Sequence, residues 1–145
     1  MRVPGIGDRL ARFVVPLELL PSNNPWGRLE SWQKFSIIEK LRGHIAAQLA
    51  HLRSSMAIPL PGRPMIRAIR FSSTEGDVDN GWTKLAIDRL TVRSNKRKNA
   101  IDTLRSKGLG IIEDDRPSKL NLKVWWEYAP AGKGFGYFEI WSGAL

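Results

Sequence analysis

Between residues 30 and 54, apolar side chains recur every three or four positions: Trp32, Phe35, Ile38, Leu41, Ile45, Leu49 and Leu52. That period lines them up on one stripe of an α-helix, and a helix this long needs a broad apolar surface to lie on. The rest of the chain supplies short strand-like runs. Residues 13–20, 65–71, 109–112, 120–128 and 137–141 are apolar, β-branched or alternating, and they are bounded by Pro, Gly, Asn and Asp. The expectation is an α+β fold in a single domain, with a mixed or antiparallel sheet packed by the long helix. At 145 residues and 42% hydrophobic, the chain has material for one modest core.

Several local features refine this. Pro4, Gly5 and Gly7 lie in a stretch without periodicity, so residues 1–12 are expected as a flexible N-terminal arm and 13–145 as the folded domain. Pro16 cannot donate to a ladder, which suits an edge position or a bulge. A shorter helix follows residue 81, with Trp82, Leu85, Ala86, Arg89 and Leu90 on one face and Asp79 or Asn80 as its N-cap. Residues 96–107 resume a helical pattern that Gly108 would end in a left-handed turn. Residues 132–136 are expected to turn a hairpin between the last two strands.

Composition narrows the function. The net charge is +9, from 23 Lys and Arg against 14 Asp and Glu, and a small protein this basic is commonly a polyanion binder. With no cysteine, there is no disulfide framework, thiolate nucleophile or Cys-based zinc site. The interrupted apolar run of residues 1–20 does not read as a signal peptide, and no window reads as a membrane span. A cytoplasmic protein is expected.

The polar loop before the shorter helix carries Asp77 and Asp79, with Lys84 just beyond it; a further acidic pair, Asp114-Asp115, comes later. Carboxylates from separate segments suit Mg²⁺, which takes hard oxygen ligands and retains waters that a phosphate can displace. An EF-hand is excluded because Trp82 stands where its sharp turn needs Gly. Neither a P-loop nor a Gly-x-Ser-x-Gly nucleophile elbow is present. His44 and His51 are seven apart, not four, and read as structural or surface residues. Cations surround the acids. Arg63, Arg67 and Arg70 would carry positive charge up to the loop, and Arg93, Lys96, Arg97 and Lys98 form a basic run suited to DNA phosphates. In the turn Pro21-Ser22-Asn23-Asn24-Pro25, the amides of Asn23 and Asn24 can bond backbone or phosphate, and Trp26 follows as the best exposed aromatic for wedging into DNA.

Taken in order, Leu20-Pro21-Ser22-Asn23-Asn24, then Asp77-Val78-Asp79-Asn80 with Lys84 and Asp88-Arg89-Leu90, then Gly110-Ile111-Ile112-Glu113-Asp114-Asp115, this chain resembles the RusA-type Holliday junction resolvases. The resemblance spans about residues 14–141. It implies a homodimeric, Mg²⁺-dependent (or Mn²⁺-dependent) endonuclease of phage or prophage type that resolves four-way DNA junctions by paired nicks. Its essential carboxylates would correspond to Asp77, Asp79 and Asp115, and its catalytic lysine to Lys84. Two departures stand out. Lys84 comes one residue later than in the family, so either the loop bulges or Thr83 takes that place, and the helical segment around 91–107 is longer. Two other functions remain open at this point: an inactive basic DNA-binding protein on the same scaffold, and a metal-dependent phosphoesterase acting on another nucleic acid.

Overall fold

The computed structural model describes residues 6–75, 81–91 and 108–144. In chain order these form β1 (Ile6–Pro16), a 3-10 turn (Leu17–Leu19), α1 (Asn23–Gly27), α2 (Ser31–Gln48), α3 (Ala50–Ser55), β2 (Arg63–Ser72), α4 (Trp82–Leu90), β3 (Asn121–Tyr128) and β4 (Phe135–Ala144). The fold is α+β. Its four strands make one mixed sheet in the order β1-β4-β2-β3, antiparallel except for the β2–β3 pair.

Three expectations are corrected at the level of strands. β1 begins at Ile6, so residues 6–12 of the expected arm are in the sheet, paired with β4. The last two strands do not form a hairpin: β4 lies between β1 and β2, while β3 pairs with β2 alone. The central strand separates them because Met65, Ile66 and Ala68 of β2 are apolar enough for burial between two neighbours. Residues 109–112 form no strand. They make a single bridge, Thr91 to Ile112. Pro16 does sit on an edge strand, pairing at its end with Phe135.

One core cluster joins the sheet to the helices. Phe13, Val15, Ile66, Ala68, Phe138 and Ile140 form its floor, and Leu41, Ile45, Leu49 and Leu52 of the long helical stretch cover it. Phe13 stacks on Phe138 at 4.7 Å, and Trp82 meets the same ring edge-on at 6.0 Å. Burying each such side chain contributes roughly 1.5–3 kcal/mol. The stripe of the long helix is thus legible from Ile38 onward, but Trp32 is 70% exposed, a turn ahead of the core. Leu49, at φ −104° and ψ 11°, separates α2 from α3, although bonds from the Leu49 amide to Ile45 and from the Arg53 amide to Leu49 carry the ladder across. Glu30 starts α2 with its amide donating to Gln33 Oε1 at 2.8 Å. His44 and His51 are both exposed. No described helix is long and apolar enough to cross a membrane.

Candidate functional site

α4 brings its residues to one end of the sheet. Trp82, Thr83, Ala86, Ile87 and Leu90 are buried, which fixes the helix about its axis. The consequence is that Thr83 faces inward at 8% exposure, while the Lys84 side chain is 62% exposed on the outer surface. The N-cap position, expected at Asp79 or Asn80, falls on Gly81, whose φ of 84° supplies the turn into the helix.

The acidic pair reaches Lys84 because the segment from Gly108 docks on the C-terminus of α4. Amides of Leu109, Ile111 and Ile112 donate to the carbonyls of Arg89 and Leu90, and that of Gly110 to Thr91, at 2.7–3.1 Å. These bonds satisfy carbonyls that a helix end leaves open. Gly108 has no left-handed φ, contrary to expectation. It is glycine because a Cβ there would run into the Thr91 carbonyl oxygen, whereas Gly110 takes the left-handed turn at φ 75°.

Asp114 and Asp115 then separate. Asp115 Oδ2 lies 3.3 Å from Lys84 Nζ, and Asp88 Oδ1 lies 3.6 Å from the same ammonium. Asp114 turns the other way, accepting the Asp115 amide at 2.7 Å and the Arg116 Nε at 2.7 Å. Hydrogen bonding from Asp115, joined by the Arg116 guanidinium, holds the Asp114 carboxyl below the usual carboxylate range. Lys84 is therefore held between two carboxylates, one of them from its own helix a turn later. The role of Asp88 was missed at the level of residue roles, although its i,i+4 spacing from Lys84 was readable.

Arg70 ties the Pro-Ser-Asn-Asn turn to this end of the fold. Its Nη1 donates to the Leu20 carbonyl at 3.0 Å and its guanidinium lies 5.6 Å from the Trp82 ring, with burial lowering its pKa. Arg67 goes elsewhere. Three residues from Arg70 on a strand, it falls on the opposite face, paired with Glu139 at 3.1 Å. Arg67 and Arg70 therefore do not share a face of the sheet, and the loop at 76–80 that they were expected to approach lies outside the described residues. Trp26 is in α1, half-buried, with the Lys34 ammonium 5.7 Å from its ring; Trp32 is the more exposed indole. Asp77, Asp79, Arg93, Lys96, Arg97 and Lys98, the helix expected at 96–107, and the side chains of Asn23 and Asn24 lie outside the described residues.

For Mg²⁺, Asp115 has the right chemistry: a partly exposed hard oxygen donor already facing a cation. Among the described residues no three acidic or histidine side chains gather as a metal site; Asp77 and Asp79, the other carboxylates expected as ligands, lie outside them. No protein-family model and no curated protein matches the chain.

Proposed function

We propose that the chain is a RusA-like, Mg²⁺-dependent endonuclease that resolves four-way DNA junctions by paired nicks, working as a homodimer. The observation that carries this reading is the 3.3 Å contact between Lys84 and Asp115. Two segments picked out by sequence motif, a lysine after the Asp-x-Asp loop and the second aspartate of a later pair, meet at one point. The +9 charge supports a polyanionic substrate.

In this reading Asp115, with Asp77 and Asp79, holds the metal by hard oxygen ligands. Bound there, Mg²⁺ would polarise the scissile phosphate and make an attacking water more acidic. Lys84 offsets negative charge building on the phosphate oxygens. Asp88 keeps the ammonium on that side of α4 once Asp115 is engaged elsewhere. Arg70 steadies the turn carrying Asn23 and Asn24 beside the helix start.

The test compares four substrates with purified protein and Mg²⁺ or Mn²⁺: a synthetic four-way junction, linear duplex, structured RNA and free nucleotide. Symmetric nicks in the junction are expected, with little cleavage of the others. Preferential cleavage of RNA or nucleotide would replace this reading with a different phosphoesterase. Binding without any cleavage would make it a DNA-binding protein. Because paired nicks need two active sites, a monomer by sedimentation would also contradict it.

A further inference from the structure

The sheet has a second face that the core does not use. Met65 and Ile69 on β2 are 7% and 6% exposed, yet both stand apart from the core cluster because alternation points them away from the helices. Their cover is aromatic. Ile69 is flanked in register by Trp125 and Tyr137, and Met65 by Trp141. All three rings are half-buried, each with a surface toward solvent.

Cations stand among these rings, held in place by one buried carboxylate. Glu139, with 6% of its side chain exposed, accepts from Tyr137 OH at 2.9 Å and Arg9 Nη1 at 3.3 Å through Oε2. Through Oε1 it meets Arg67 Nε at 3.1 Å and Trp141 Nε1 at 3.3 Å. Arg67 also lies 5.0 Å from the Trp125 ring centroid. The two arginines keep 46% and 41% of their side chains in solvent. Arg12 and Lys123, exposed on the flanking strands, share this face by register with Glu139 and Arg67. Among the described residues these four cations share the face with two carboxylates, Glu139 and Glu127, so this surface is net positive. The guanidiniums of Arg9 and Arg67 are held by Glu139 before any ligand arrives, which reduces the ordering cost of binding.

We propose that this face binds single-stranded nucleic acid, with Trp125 and Trp141 stacking bases and Arg9, Arg12, Arg67 and Lys123 holding phosphates. Flat rings among fixed cations match unstacked bases on an anionic backbone. A duplex hides its bases, and a second copy of this face would set arginine against arginine. From strand spacing and rise, the two indoles are anchored roughly 16 Å apart, room for a short run of nucleotides. The inference stands on the sheet face alone and does not depend on the nuclease reading.

The test is fluorescence anisotropy of a labelled short oligo(dT) at several salt concentrations, with oligo(rU) and duplex DNA as competitors. Trp125→Leu is expected to weaken binding about tenfold. The double variant Arg12→Ala/Lys123→Ala changes only exposed side chains, so it keeps the fold; it is expected to reduce the salt slope by about 1.4. Ultraviolet crosslinks should map to β3 and β4. Unchanged affinity and salt slope in both variants, duplex competing better than single strand, or no oligonucleotide binding at low salt would overturn the proposal. So would Trp125→Leu dissociating a dimer with oligonucleotide affinity intact, which would assign the face to a second copy. Oligonucleotide binding that follows these variants in a protein without junction cleavage upholds this face while removing the nuclease reading.

Discussion

Lys84 Nζ lies 3.3 Å from Asp115 Oδ2 across thirty-one residues of sequence. Two independent packing events create that contact. Trp82 and Thr83 turn inward and leave Lys84 outward, while the segment after Gly108 is held on the carbonyls at the end of α4. Neither event involves the charged groups themselves, so the pair is positioned by the core and not by its own weak surface attraction.

The displaced lysine gives the first prediction. Thr83 is buried and Lys84 faces Asp115, so Thr83→Ser should leave junction cleavage near wild type, whereas Lys84→Gln should lower kcat about 10²-fold with little change in junction affinity. Single-turnover cleavage with a parallel binding titration measures both. The opposite ranking would mean that position 83 carries the function.

Gly108 gives a prediction far from any charge. A methyl group there collides with the Thr91 carbonyl, so Gly108→Ala should push the docked segment off α4. A stability loss of about 2 kcal/mol is expected, read as a lower urea midpoint. Cleavage should fall as well, because Asp115 moves with the segment. Gly27→Ala, where an added Cβ meets nothing, is the control and should change neither.

Glu139 predicts how stability depends on pH. Burial pushes its pKa up, but hydrogen bonds from Tyr137, Trp141 and Arg9, with the charge of Arg67, outweigh burial and leave it below the ordinary glutamate value. The folded state then binds its proton less readily than the unfolded chain. Its contribution is fully present above the unfolded pKa, about 4.3, and disappears as pH falls through the lower folded value. Glu139→Gln should therefore cost about 2 kcal/mol near neutrality, with the half-exposed arginines softening the loss, and this cost should shrink in acid. Urea melts between neutral pH and pH 3 measure it, and a cost independent of pH would contradict the assignment.

How legible the sequence was depended on how local each feature is. Ile38, Leu41, Ile45, Leu49 and Leu52 declared the core helix because their period is set by the helix itself, and α4 was read from the same kind of pattern. Strand partners are set by the whole sheet. The turn at residues 132–136 looks like a hairpin loop locally, yet β4 pairs with β1 and β2, which no local pattern records. Arg67 and Arg70 were legible after all: an odd spacing on a strand sends them to opposite faces. Gly108 was recognised as special for the wrong reason, since a close backbone approach from Thr91 leaves no trace near it in the sequence. The resemblance points to Asp115 over Asp114, but which of the two adjacent carboxylates meets Lys84 is set by the docking of the segment on α4, which no local pattern records.

The most direct test of the site is Asp115→Asn assayed on a four-way junction with Mg²⁺, with binding and cleavage measured on the same preparation. The variant should bind the junction at least as tightly as wild type, since one negative charge near the phosphates is gone, and it should fail to nick it. Cleavage by Asp115→Asn at the wild-type rate would show that the Lys84–Asp115 contact is a surface ion pair and not part of a catalytic centre.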